Sequence, residues 1–139
     1  MSKKIIYNKV VEKAKKQLGK EIVKCRGETR SQRNLASAVG LPPSNMKYIE
    51  DGVNAPTGDV YAKIIQELKP QLKQQKKMDQ LYIIIRNVPP PDVCEIINCN
   101  QDLFNIIRIL GVKQLSKDQL ETTRKLFESF NENNLKGEI

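Results

Sequence analysis

The side chains in this chain that can do chemistry are cations rather than nucleophiles. Histidine is absent, which removes Ser-His-Asp and Cys-His nucleophiles, imidazole metal ligands and the one side chain that titrates near neutrality unaided. Cys25, Cys94 and Cys99 form an odd set without a CxxC pair, so neither a disulfide framework nor a thiolate zinc site is expected, only reduced and mostly buried thiols. No GxGxxG or phosphate-binding loop occurs; Gly19-Lys20 is followed by Glu21 and lacks the earlier glycine. The chain therefore reads as a non-enzyme with no cofactor. What it has is positive charge, with 24 Lys/Arg against 16 Asp/Glu. The excess is lopsided: residues 1–70 carry 14 basic and 7 acidic side chains, residues 71–139 carry 10 and 9. A concentrated positive field attracts polyanions, and nucleic acid is the commonest of these in a cytoplasm. A solvated lysine face that only aids solubility is the alternative.

A chain of 139 residues accommodates one domain, or a domain of about 70 residues with an appendage of similar size. Lys, Leu, Gln, Glu and Ile dominate while aromatics make up 5%, which favours an all-α fold. No run approaches the roughly 20 apolar residues of a membrane span, and the opening Met1-Ser2-Lys3-Lys4-Ile5-Ile6 lacks the apolar core of a signal peptide. A cytoplasmic protein without membrane contact is expected.

Apolar spacing locates the elements that must carry the charge. Val10, Val11, Ala14, Leu18, Ile22 and Cys25 form one helical stripe over residues 8–25, with lysines between them. The polar, glycine-containing residues 26–30 read as a turn. Ser31 then caps a second helix that stops at Val39-Gly40. Pro42 and Pro43 suit the start of a third, running through Met46 and Ile49 to Asp51-Gly52. Thr57 caps a fourth, with Val60, Tyr61, Ile64, Ile65 and Leu68 inward, closed by Pro70. Residues 71–77 read as a linker or as the exposed start of the next helix, and the domain boundary is placed there: a first domain over residues 1–70 and a helical module over 78–139. Met78, Leu81, Tyr82 and Ile85 predict a helix, although Ile83-Ile84-Ile85 also suits a short strand. After the break at residues 87–91, one or two helices follow with Val93, Ile96, Ile97, Leu103, Phe104, Ile107 and Leu110 as their apolar face. Ser116 and Gln119 make a capping box before a last helix that buries Leu120, Thr123, Leu126, Phe127 and Phe130. Residues 131–139 are expected to fray.

Two short helices joined at a glycine are common in any helical protein, so the residue types matter more than the outline. Gln32 opens the second helix, Leu35-Ala36 and Gly40-Leu41 follow, and then come Ser44, Ile49-Glu50-Asp51-Gly52 and Pro56. This succession resembles the Cro/phage-repressor (Xre-type) helix-turn-helix family over about residues 18–68. The resemblance implies a compact helical DNA-binding domain, commonly dimeric, acting on transcription. It places a recognition helix over residues 42–50 in the major groove of double-stranded DNA. Met46 and Ile49 point inward, which leaves Ser44, Asn45, Lys47 and Tyr48 for the DNA face. Asn45 suits adenine, Lys47 guanine or a phosphate, and Ser44 and Tyr48 phosphates. Gln32 matches the family residue that meets a backbone phosphate with help from the helix N-terminus. Arg30, Arg33 and Asn54 flank this surface, with solvation or turn stabilisation as the alternative for Arg33 and Asn54. Glu50 is assigned a structural role, because an acid facing DNA would repel phosphate. Three departures stand out: Pro42 and Pro43 offer no donors at the start of the recognition helix, Gly58 stands where an apolar residue is common, and Lys69-Pro70-Gln71 interrupts the way to a fifth helix, which the Met78 region must then supply if one exists.

The second half, rich in Ile, Leu and Phe and almost neutral, reads as a self-association module, since a two-fold dimer brings two recognition helices to successive major grooves. Completion of a single core is the alternative. The expected function is a sequence-specific transcriptional regulator, a repressor by preference. The competing readings are an antitoxin whose residues 78–139 bind a toxin, and an interaction adaptor that keeps the fold without binding DNA.

Overall fold

A computed structural model describes residues 2–134, the last four as backbone. Among the described residues every regular element is an α-helix, and the chain divides after Ile96 into two compact units. The first holds α1 (Lys3–Arg26), α2 (Gln32–Ala38), α3 (Pro43–Glu50), α4 (Gly58–Leu68), α5 (Leu72–Arg86) and most of α6 (Pro91–Cys99). The second holds the end of α6 with α7 (Leu103–Lys113) and α8 (Lys117–Asn134).

Capping chemistry explains most boundaries. Ser31 and Thr57 accept from the backbone N–H groups of Asn34 and Val60 at 3.0 and 3.3 Å, supplying acceptors that the first helical turn lacks. Ser2 does the same for Ile5, so α1 starts five residues before the expected position and reaches 24 residues, about 36 Å of helix. The capping box before α8 is formed in both directions, Ser116 N–H to Gln119 Oε1 and Gln119 N–H to Ser116 Oγ. Three helices end on non-glycine residues in the left-handed region, Lys69, Asn87 and Gln114. Lys69 rather than Pro70 therefore closes α4.

The core of the first unit is a convergence of five helices. Leu18 and Ile22 of α1, Leu35 and Ala36 of α2, Met46 of α3, Ile64 of α4 and Met78 of α5 are buried at 1% exposure or less. Each fully buried Leu, Ile or Met side chain among these contributes roughly 1.5–3 kcal/mol. α1 packs along α5 and across α3, while α2 packs on α3 and α4. The face of α1 that reaches this core begins at Ala14; Val10, expected inside, is 49% exposed.

Of the two readings of residues 71–77, this arrangement holds the exposed start of a helix and replaces the linker. From Leu72 they form the first turns of α5, and Lys77 bonds Glu21 of α1 at 2.9 Å, which holds the Glu21 carboxyl below its usual range. Met78, Leu81 and Tyr82 belong to the same core as Leu18 and Ile64, so the division falls about twenty residues beyond the expected boundary. The strand alternative for Ile83-Ile84-Ile85 is likewise replaced by helix. Tyr82 stacks on Tyr61 with ring centroids 4.4 Å apart, and the Tyr61 hydroxyl donates to Asp79 at 2.6 Å. Gly58, opposite this pair, leaves the Tyr82 hydroxyl its room, since a Cβ there would lie 3.2 Å from it.

The second unit differs in kind. No residue from Ile97 to Phe130 is buried. Leu120, Leu126, Phe127 and Phe130, expected on an inner face, are 50–53% exposed, and Ile106, Ile107 and Ile109 are 43–55% exposed. Thr123 alone of that expected set is half-buried. Two helices and a helix end supply too few walls to enclose such side chains. The fraying expected for residues 131–139 is corrected as far as residue 134, where α8 continues; the remainder lies outside the described residues.

One contact sets the crossing of α1 and α3. A Cβ on Gly19 would stand 2.3 Å from the Glu50 carbonyl oxygen and 2.7 Å from that of Ile49. Both obstacles are backbone and cannot swing aside. Gly19→Ala is thus expected to lower unfolding free energy by at least about 2 kcal/mol, the overpacking loss outweighing alanine's helix advantage of about 1 kcal/mol; urea titration of the full chain checks this.

Candidate nucleic-acid interface

α3 is short, and its eight residues divide cleanly. Met46, Ile49 and Glu50 are buried, whereas Ser44, Asn45, Lys47 and Tyr48 are exposed, Tyr48 at 47%. A period of 3.6 residues puts the two sets on opposite sides of the helix. The start of α3 is made by the proline pair: Pro43 occupies the first helical position, and the Pro42 carbonyl accepts from Asn45 and Met46 N–H at 3.0 and 3.3 Å. The preceding turn passes through Gly40 at φ 75°, a conformation glycine adopts without strain, and Leu41 N–H returns to Ala36 O at 2.8 Å. The far end is closed by Gly52, also at φ 75°, and by Val53 and Asn54 N–H groups donating to Tyr48 O at 2.9 and 3.2 Å.

Beneath the exposed face lies a charged network that composition does not announce. Arg26, at the end of α1, donates from Nε and a terminal nitrogen to the two oxygens of Glu50, at 2.8 and 3.1 Å. Gln32 adds a third bond to that carboxylate at 2.6 Å. The Glu50 side chain is 3% exposed and that of Arg26 15%, so the pair is bidentate, largely out of water and supported by a neutral donor, the conditions under which a buried ion pair is tolerated. Arg26 also donates to Arg30 O at 2.8 Å. One carboxylate thereby joins the end of α1, the start of α2 and the end of α3.

The flanking residues separate into three groups. Gln32 is half-buried and directs its amide to Glu50; its place is within the scaffold, beside the α3 face and not on it. Arg30 is occupied as well, bonding Glu67 of α4 at 2.9 Å and Asn34 at 2.7 Å. Arg33 and Asn54 are exposed, and Asn54 lines a depression of about 180 Å³ with Asn45, Leu41, Ile49 and Pro56. The structure thus gathers Ser44, Asn45, Lys47, Tyr48 and Asn54 at α3 and its following turn, and assigns Gln32 and Arg30 to the joints behind them. Lys47 meets Asp51 at 2.9 Å in a solvent-exposed pair, and that hydrogen bond raises the Lys47 ammonium above its usual value; the side chain stays cationic.

Two supporting residues went unread in the sequence. Arg26 sat in a segment read only as a polar turn, and Arg86 in a helix read only for its apolar face. Arg86 donates to Pro56 O and Ala55 O at 2.9 and 3.1 Å, fixing the turn that carries Asn54. Neither has a local signal, since the partners lie 24 and about 30 residues away. Among the described residues no group of three or more His, Cys, Asp or Glu side chains is placed to hold a metal ion, and no helix is long and apolar enough to cross a membrane.

Truncating one side of the buried pair leaves the other charge stranded. Arg26→Met is expected to destabilise the chain by about 3 kcal/mol, and Arg26→Met with Glu50→Leu to recover most of it, because an apolar pair of similar volume carries no desolvation penalty; denaturant midpoints of the two variants decide. Comparison with protein-family models, with curated proteins and with solved structures finds no match to this chain.

Proposed function

We propose that this protein is a sequence-reading DNA-binding regulator of the Xre type, in which α3 enters the major groove and Ser44, Asn45, Lys47 and Tyr48 meet bases and phosphates. The observation that carries the reading is the division of α3: its inner residues are locked by the core and the Glu50 network, and its outer face is polar and exposed, with the Lys47 cation paired only to Asp51 in solvent. A helix held this firmly presents its side chains with little conformational freedom left to lose on binding. Asn45 offers a donor and acceptor matched to adenine, Lys47 a donor for guanine or phosphate, and Asn54 lies alongside for the backbone. Gln32 and Arg30 act by positioning. The proline start of α3 shifts base reading toward its middle, where Asn45 and Tyr48 stand.

The second unit is the self-association module in this reading. Exposed Ile106, Ile107, Ile109, Leu126, Phe127 and Phe130 give a second copy an apolar surface to cover, and a two-fold pair sets two α3 helices about 34 Å apart on one side of the duplex. Occupying such a site beside a promoter makes the protein a repressor, working in the cytoplasm.

Gel shift with the DNA upstream of its own coding region tests the reading. Specific binding with a nanomolar-range Kd that weakens steeply with salt is expected, and Asn45→Ala with Lys47→Ala should erase the preference over random DNA. Equal binding of specific and random duplex by both proteins sinks it. For the second unit, Phe127→Glu with Phe130→Glu is expected to convert a dimer to a monomer by sedimentation and to weaken operator binding at least tenfold; a wild-type chain that sediments as a monomer at micromolar concentration refutes the dimer.

A further inference from the structure

The longest helix carries a feature that the reading of α3 does not use. Lys9, Lys13, Lys16, Lys20 and Lys24 are separated by four, three, four and four residues, which keeps them within about 80° of one another on a helix and spreads them over roughly 22 Å. All five are exposed. Their arc lies opposite Ala14, Leu18 and Ile22, the residues by which α1 enters the core. No ion pair forms on any of them among the described residues: Glu12 bonds Lys15 and Glu21 bonds Lys77. Glu12 stands among Lys9, Lys13 and Lys16, and Glu21 lies one turn from Lys24, but five cations to two acids leave an excess of like charge, which destabilises a helix and which an external polyanion relieves.

The row is also contiguous with α3. A Cβ on Gly52 would lie 2.5 Å from Lys16 Cα, so the end of α3 rests directly against the backbone at the middle of the row. A membrane surface suits the row poorly, because a surface-lying helix needs a free apolar face; that face of α1 is in the core, and the exposed Ile5, Ile6, Tyr7 and Val10 are scattered around the helix.

We propose that the α1 lysine row is a sequence-independent phosphate-backbone site that grips the duplex beside the stretch facing α3. This rests on the DNA-binding reading, and it divides the labour: α3 selects the sequence, α1 supplies affinity for any duplex.

The test is fluorescence anisotropy of the full chain on a random-sequence 30-base-pair duplex over a salt series. Three proteins are compared: wild type, Lys9→Gln/Lys13→Gln/Lys20→Gln, and Lys63→Gln/Lys73→Gln/Lys76→Gln, which removes the same charge from α4 and α5. Each phosphate contact contributes about 0.9 to the slope of log K against log salt. The row variant is expected to lose about 2 to 3 of that slope, with unchanged helical circular dichroism, and the control variant none. An equal loss in both variants shows that net charge alone is at work and overturns the proposal, as does an unchanged slope in the row variant or a wild type that ignores random duplex. Preference of the row for vesicles with 30% anionic phospholipid over duplex overturns it as well. None of these results touches the ratio of specific to random binding, by which the reading of α3 is judged separately.

Discussion

A single carboxylate holds three helices of this protein together. Glu50 receives the guanidinium of Arg26 and the amide of Gln32, and each partner arrives from a different helix. An ionised carboxylate so far from water is costly unless its lone pairs are filled. Here the requirement is met only when α1, α2 and α3 are all in place. The network therefore favours one mutual arrangement of the three helices, where apolar packing alone accepts several. The glycines at the crossing complete the constraint: Gly19 admits the carbonyls of α3, and Gly52 admits the backbone of Lys16. α3 is pinned at its last turn from two sides.

The consequences run outward from that joint. With Met46 and Ile49 inside and Glu50 neutralised beneath, α3 has only its polar side left to show. Arg30 and Arg86 then extend the same logic to the periphery, the first tying the start of α2 to α4 through Glu67, the second holding the turn after α3 by its carbonyls. Cations that looked available for an external anion are thus divided between internal joints and the surface. Lys47, Arg33 and the lysines of α1 other than Lys15 remain on the outside, while Arg30 does not.

The two units stand in different energetic positions. In the first, five helices enclose Leu18, Ile22, Leu35, Met46, Ile64 and Met78 almost completely, and α5 supplies a wall that residues 1–70 lack by themselves. In the second, long apolar side chains stay half-exposed throughout. Helices of this length are marginal in isolation and draw their stability from covering an amphipathic face, so the second unit has more to gain from association than the first.

Much of the local architecture was legible in the residues themselves. Ser31, Thr57 and Ser116 announced their helices because capping is a three-residue affair, and Gly40 and Gly52 marked turns because only a residue without a Cβ sits easily at their φ. The division of α3 into inner and outer residues followed from helical period taken together with the family resemblance, and the structural assignment of Glu50 followed from the sign of its charge beside a face that the resemblance gives to phosphate. What local spacing could not supply was partnership. That residues 72–77 are helix and that Met78 completes the core depended on α1 offering a surface more than fifty residues back. That Gln32 and Arg30 serve the scaffold depended on Glu50 and Glu67 lying within bonding distance, which is decided by how α2 meets α3 and α4. Period and caps are set by neighbours in the chain; the choice between a cation that holds the fold and one that faces solvent is set by neighbours in space, and only the folded chain brings those together.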